Sequence, residues 1–388
     1  MALLGDLVEI TGGGTPSRKN ADYWGGEIYW ATVKDFKSLT LSGALEKITS
    51  EGLENSASNY IPAGSIIIPT RMAVGKAAIN TVGMAINQDL KALHIKDNEN
   101  VDRDYLFRAL LSKSTYLESR GKGATVKGIT LDVLRELEIP LPPLKEQKRI
   151  ASILDKADAI RRNRQQAIDL TNQLLRSVFL DMFGDPVMNP KEWNEVALGD
   201  VINIVGGGTP SRKIKEYWGS DIPWASVKDF SGTEIKNTIE SITREGLDNS
   251  ASNLIRAGSI VVPTRMAVGK AAINAIDIAI NQDLKALTIK DSSYIDMEYL
   301  FRYLLGRSAC LIKRSKGATV KGITLDVLKE LRVPVPPYKL QLSFNKIATK
   351  LSMELKRMEG SRKNMDHLFQ SLSKQVFQDQ LTNKTKVA

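Results

Sequence analysis

Several short segments concentrate the hydroxyl, amide and cationic side chains that loops use to approach a polyanion. They are Thr15, Ser17, Arg18 and Lys19; Lys34; Arg71, Lys76, Asn87 and Gln88; and Lys122, Thr125 and Lys127. Arg can grip a guanine edge with two parallel hydrogen bonds, and Asn or Gln can do the same for adenine. Lysines more often hold phosphates and carry the salt dependence of binding. For Arg71 and Asn87 there is a second reading, in which they satisfy buried carbonyls or pair with Asp35 or Asp89 inside the domain. The same set returns 194 positions later as Thr209, Ser211, Arg212, Lys213, Lys228, Arg265, Lys270, Asn281, Gln282, Lys316, Thr319 and Lys321.

That recurrence is a tandem duplication. Of residues 1–150, 92 are identical to the residue 194 positions on, without a gap, in a chain of 388. GGGTPSRK starts at Gly12 and Gly206, PTRMAVGKAAIN at Pro69 and Pro263, and KGATVKGITLDVL at Lys122 and Lys316. So long a period makes each copy a domain with something attached, rather than a solenoid unit.

The duplication also screens for catalysis, since a site inside a repeated domain should occur twice. His94 aligns with Thr288, His367 with Gln173 and Cys310 with Tyr116, so none recurs as a general base, metal ligand or nucleophile. There is no HExxH, no GxSxG elbow and no methyltransferase cofactor loop. Ala73–Ala78 (AVGKAA) resembles a phosphate loop only superficially, because Thr70 stands where the first Gly belongs and Ala77 where Ser or Thr must reach magnesium. The expectation is a non-catalytic binding protein holding no cofactor or metal of its own. A duplicated hydrolase using Asp35 and Asp89 with a divalent metal, and a protein-interaction scaffold, are the alternatives from other classes.

Composition agrees. Lys plus Arg 54 against Asp plus Glu 44 gives a net charge of +10, which favours a polyanionic partner. One cysteine excludes a disulfide framework and fits a reducing compartment such as the cytoplasm. No apolar run approaches a membrane span, and the first residues do not read as a secretory signal.

Positioning falls to two kinds of element. Before Pro140, short apolar runs such as Ser65–Ile68 and Ala92–Ile95 predict strands, and Asp102–Glu118 predicts a helix. Pro140, Pro142 and Pro143 then give an extended approach to a long helix. Its apolar positions Ile150, Leu154, Ala157, Ile160, Ile168, Leu174, Val178 and Met182 recur at spacings of three, four or seven. In the second copy they are Ile347, Leu351, Leu355, Met358, Met365, Leu368, Leu372 and Val376. A helix of ~34 residues is ~50 Å long at 1.5 Å per residue, more than a small domain needs to cover its own core. The two stripes therefore predict an antiparallel coiled coil. The fold class is α+β: mixed domains over 1–142 and 195–336, long helices over 143–184 and 337–380, a linker over 185–194 and a tail over 381–388.

With GGTPS near the start of each copy, Trp30 and Trp224, and IPLPPLKEQKRI or VPVPPYKLQLSF leading into a long helix, the chain resembles the specificity subunit of type I DNA restriction-modification enzymes. The resemblance covers nearly the whole chain. It implies two target recognition domains, each reading one half of a split sequence in double-stranded DNA, alternating with two helices in a pseudo-twofold arrangement. It also implies docking of two methyltransferase subunits, which use S-adenosylmethionine, and two restriction (motor-nuclease) subunits that use ATP and magnesium. A related enzyme cutting on both sides of a bipartite site would have a similar subunit. Because the candidate reading segments are nearly identical in both copies, the half-sites are expected to match in inverted orientation.

Overall fold

The computed structural model describes residues 1–123, 128–317 and 321–382. It divides into two compact units, one comprising Met1–Gln165 with the chain from Gly360 onward, the other Gln166–Glu359. The division falls inside the long helices, so each unit holds one repeated domain, the start of one helix and the end of the other.

In the first unit, a five-stranded sheet has the order Val8–Gly12, Leu90–Ile95, Ile66–Pro69, Ala78–Asn80, Thr40–Leu41. Leu90–Ile95 pairs antiparallel with both neighbours, setting Lys91 opposite Gly12 on one side and Ile68 on the other. A four-stranded sheet orders Glu46–Ile48, Trp24–Ala31, Met84–Ile86 and Tyr60–Ile61, and its central pair is parallel. The strand Ile66–Pro69 is buried along its whole length, which its period of two explains. Ile66 and Ile68 enter the core beneath the helix Arg103–Ser112, while Ile67 enters the core shared with Ala31, Met84 and Ile86. Burying each such isoleucine contributes roughly 1.5–3 kcal/mol. The second unit repeats the pattern, with Ile260 and Val262 in one core and Val261 in the other.

The helix expected over Asp102–Glu118 is two helices, Arg103–Ser112 and Ser114–Arg120, with Asp102 capping the first through the Tyr105 N–H. The break at Lys113 admits the loop at Gly75, whose φ of +90° suits glycine and whose Cβ would lie 2.7 Å from Ser114 Oγ.

The central long helix is Leu144–Phe183 and the C-terminal one Tyr338–Thr382. Gln147 and Gln341, both fully buried, seat them on the domains. Gln147 Oε1 accepts from the Asp102 N–H at 2.9 Å, and its Nε2 donates to the carbonyls of Asn100 and Pro142. Gln341 makes the same three bonds to Asp296, Tyr294 and Pro336.

Within each unit the two helices run antiparallel. In the first, Arg161 meets Asp366 at 2.8 Å and lies over Phe369, while Ile150, Ala151 and Leu154 share a core with Phe369, Leu372, Val376 and Phe377. In the second, Phe179 and Phe183 meet Phe344 edge to face at 5.5 and 5.3 Å, with Leu175, Val178, Ala348 and Leu351 around them. The buried stripe keeps a period of 3.5: Phe344, Ala348, Leu351, Leu355, Met358, Arg362, Met365, Phe369, Leu372 and Val376 are all shielded. This corrects the stripe read from sequence at four places. Ile160, Leu174, Ile347 and Leu368 are exposed by 51, 49, 39 and 69%. Each of the last three stands beside a residue that takes its place inside, namely Leu175, Ala348 and Phe369. Ile160 is displaced by Arg161, which holds the seam through Asp366.

Candidate nucleic-acid interface

The glycine-rich loop crosses the end of the four-stranded sheet. Gly13 approaches so closely that a Cβ would sit 2.1 Å from the Ile86 carbonyl oxygen, so only glycine fits. The next carbonyl, of Gly14, accepts from Trp30 Nε1 and Ser58 Oγ at 3.0 and 2.7 Å. That close approach sets Thr15 against Gln88, Oγ1 donating to Oε1 at 2.5 Å. Both side chains are exposed, as are those of Thr209 and Gln282, which make the same bond.

Further along the loop, the Ser17 carbonyl accepts from Trp24 Nε1 at 3.1 Å, and the Arg18 guanidinium lies 3.6 Å over the Trp24 ring. Its fork holds Glu46 at 2.5 and 2.9 Å. This two-pronged bond draws the Glu46 carboxyl below its ordinary range. Ser211, Arg212, Trp218 and Glu240 reproduce the clamp, with the ring at 3.5 Å. Arg18 and Arg212 are therefore held flat on an aromatic face with one edge committed. Lys19, Lys34, Lys213 and Lys228 are exposed beside them. Trp30 and Trp224 are buried in small cores of their own, consistent with packing.

A second group forms around Asp89. Asn87 and Asn281, expected to read adenine, are buried and spent on the backbone: Asn87 Oδ1 accepts the Asp89 N–H at 3.2 Å, and Asn281 Oδ1 the Asp283 N–H at 3.1 Å. This corrects the expectation, because a side chain that closes its own turn keeps no free edge for a base. The in-domain alternative holds for Arg71 too, but only loosely, with Nη1 3.8 Å from Asp89 Oδ1 and the side chain 64% exposed. Arg265 relates to Asp283 in the same way at 3.7 Å.

Arg71 also bridges Gly128, and Gly128 exchanges two backbone hydrogen bonds with Lys122, so Lys122 and Gly128 are tied to the Arg71 turn. The exposed Lys122 and Lys316 thereby join Arg71 and Arg265. Lys76, Lys270 and Lys321 are exposed on the adjoining loops, Lys270 donating to the Phe230 carbonyl at 3.3 Å. Thr125, Lys127 and Thr319 lie outside the described residues.

One basic residue escaped the sequence reading. Lys91 Nζ donates to the carbonyls of Gln88 and Leu90 at 2.8 and 3.1 Å, and desolvation lowers its pKa against the pull of Asp89. Lys285 matches it. The signal was present, since INQDLKAL recurs whole with its lysine in both copies.

Each unit thus presents exposed hydroxyl, amide, guanidinium and ammonium groups on loops fixed by buried turns, which suits contact with phosphates and base edges. The acids of the hydrolase alternative are otherwise occupied: Asp35 accepts the Thr32 and Leu45 N–H groups at 2.8 Å each, and Asp89 faces Asn87 and Arg71. Among the described residues no group of three or more His, Cys, Asp or Glu is placed to hold a metal ion, and no helix is long and apolar enough to cross a membrane.

Comparison with known proteins decides the family. The model of the type I restriction modification DNA specificity domain matches twice, over residues 2–170 and 190–360. The chain belongs to that family. As a specificity subunit it is the non-catalytic member of its system. Among relatives of this specificity subunit, the type I restriction enzyme MjaIX specificity subunit of Methanocaldococcus jannaschii is 25% identical over 89% of this chain and 85% of its own. The EcoR124I/EcoR124II specificity subunit of Escherichia coli is 33% identical over 40% of each chain. The fold is that of the type I S subunit from Mycoplasma genitalium, with a TM-score of 0.61 at 16% identity over 97% of this chain and 95% of that one. A chain from a structure of type I complex assembly and conformational transition follows, at 0.57 and 19% identity over 96% of each.

Proposed function

We propose that the chain recognises a bipartite site in double-stranded DNA, each repeated domain reading one half, and that the two halves carry the same or nearly the same sequence in inverted orientation. It docks two methyltransferase subunits and two restriction subunits in the cytoplasm. S-adenosylmethionine, ATP and magnesium belong to those partners; this chain supplies recognition alone. The observation that carries the reading is the repetition of one constellation at the level of single bonds. Thr15 with Gln88, Arg18 with Glu46 and Trp24, and Arg71 with Asp89 recur as Thr209 with Gln282, Arg212 with Glu240 and Trp218, and Arg265 with Asp283, each distance within about 0.1 Å of its counterpart. Identical loops held identically should read identical bases.

Single-molecule sequencing of DNA from cells that co-express the chain with its genomically adjacent methyltransferase tests this, read for modified adenine. A split motif with matching inverted halves is the expected result. Unequal halves would move base reading to the divergent stretches, residues 37–50 against 231–244 and 98–120 against 292–314. No modification dependent on this chain would overturn the proposal.

A further inference from the structure

Between the strand Ile66–Pro69 and Lys76 the chain makes a three-residue turn with an unusual centre. The Ala73 N–H donates to the Arg71 carbonyl at 2.7 Å, and Met72 between them has φ +62°. Ala267, Arg265 and Met266 repeat the bond length and the angle. An i to i+2 bond around a residue of positive φ is the rarer and strained kind of γ-turn. A non-glycine side chain keeps such a conformation only where the surroundings hold it there, and such sites cluster where ligands bind. Here the restraints are visible. Val74 and Ala77 anchor the loop in the core, Arg71 is bridged to Gly128, and the Met266 N–H donates to the Lys321 carbonyl at 3.1 Å.

The strained residue is also exposed. Met72 and Met266 leave 63 and 62% of their surface open, although a long apolar side chain gains nothing from water. The same loop carries the exposed Arg71 and Lys76, and the exposed Lys122 is joined to Arg71 through Gly128. A flexible thioether on a loop that also carries exposed, phosphate-seeking cations suits an apolar surface flanked by phosphates, which a DNA groove provides.

We infer that Met72 and Met266 are specificity-determining residues that touch the apolar surface of a base pair in each half-site, while the cations beside them hold the backbone. The inference rests on the DNA-recognition reading above. Apolar side chains meet that surface in two ways, against the C5-methyl of thymine or wedged onto the face of a base step.

The test uses the chain co-purified with its methyltransferase and two duplexes, one carrying the motif read from the methylation experiment and one scrambled. If the unaltered complex does not distinguish them, the recognition reading falls and takes this inference with it. Given that preference, Met72→Ala with Met266→Ala should weaken binding to the motif duplex roughly tenfold and leave the scrambled duplex unchanged. Met72→Gly with Met266→Gly should show the same loss with no drop in thermal midpoint, since glycine accepts the turn. Unchanged affinity for the motif, or equal loss on both duplexes, would overturn the inference. Replacing motif thymines by uracil separates the two modes. A loss that does not add to the alanine effect places the sulfur against the methyl group; an additive one places it on the base face.

Discussion

The ring of Phe377, near the end of the last helix, lies 5.6 Å from the ring of Tyr105 in the core of the first domain. Phe183, near the end of the central helix, lies 4.8 Å from Tyr299 in the second. These pairs are counterparts at the repeat spacing. A helix that begins on Gln147 beside the first domain finishes in the core of the second, and the helix that begins on Gln341 finishes in the first. Neither core is complete without the other copy's helix. Burial also pushes both tyrosine hydroxyls upward in pKa, and each donates to a proline carbonyl, of Pro140 or Pro334.

Phe377→Ala and Phe183→Ala should each cost about 3–5 kcal/mol, the usual penalty for emptying a buried phenylalanine site. Denaturant unfolding of the full chain followed by tryptophan fluorescence measures this. A change below about 1 kcal/mol would mean that the helix ends are not part of the cores.

Asn87→Ala should lower stability by about 1–2 kcal/mol through loss of the bond to the Asp89 N–H, whereas Gln88→Ala, on the exposed side of the same turn, should leave stability alone and alter modification of the motif. Thermal unfolding and the methylated fraction, measured on both variants, separate the roles. Equal thermal losses would contradict the assignment.

Lys122→Ala with Lys316→Ala should weaken binding to motif and scrambled duplexes alike and make the plot of log affinity against log salt shallower by about 0.9 for each phosphate no longer neutralised. Titration of the methyltransferase complex at graded salt provides the slope. A loss confined to the motif would instead make these lysines base readers.

Acid should loosen the two Arg–Glu clamps. Glu46 and Glu240 titrate below their ordinary value because Arg18 and Arg212 bond their charged forms. Their folded pKa values lie under the unfolded value of about 4.3, so the contribution is complete above that pH and disappears as pH falls through the folded values. Glu46→Gln with Glu240→Gln should therefore reduce the loss of stability below about pH 4. Both partners are half exposed, which limits each clamp to no more than about 1 kcal/mol. Identical acid profiles for the variant and the parent would show that the clamps carry no stability.

The sequence by itself determined the duplication, the strand at Ser65–Ile68 and the existence of two long apolar stripes, because these depend on spacing along one chain. It marked the loops at Thr15, Arg71 and Lys122 for the same reason, since residue type and repetition are local. Choices between neighbours were left to the tertiary structure. Leu174 and Leu175 are the same residue type, and only the partner helix selects Leu175 for the interior; the same selection takes Ala348 over Ile347 and Phe369 over Leu368. Asn87 and Gln88 are equally polar, yet the Asp89 turn buries one and leaves the other outside. The exchange of helix ends between domains and the positive φ of Met72 also came from the fold, because each follows from contacts between segments distant in sequence, whose free energy no local pattern contains.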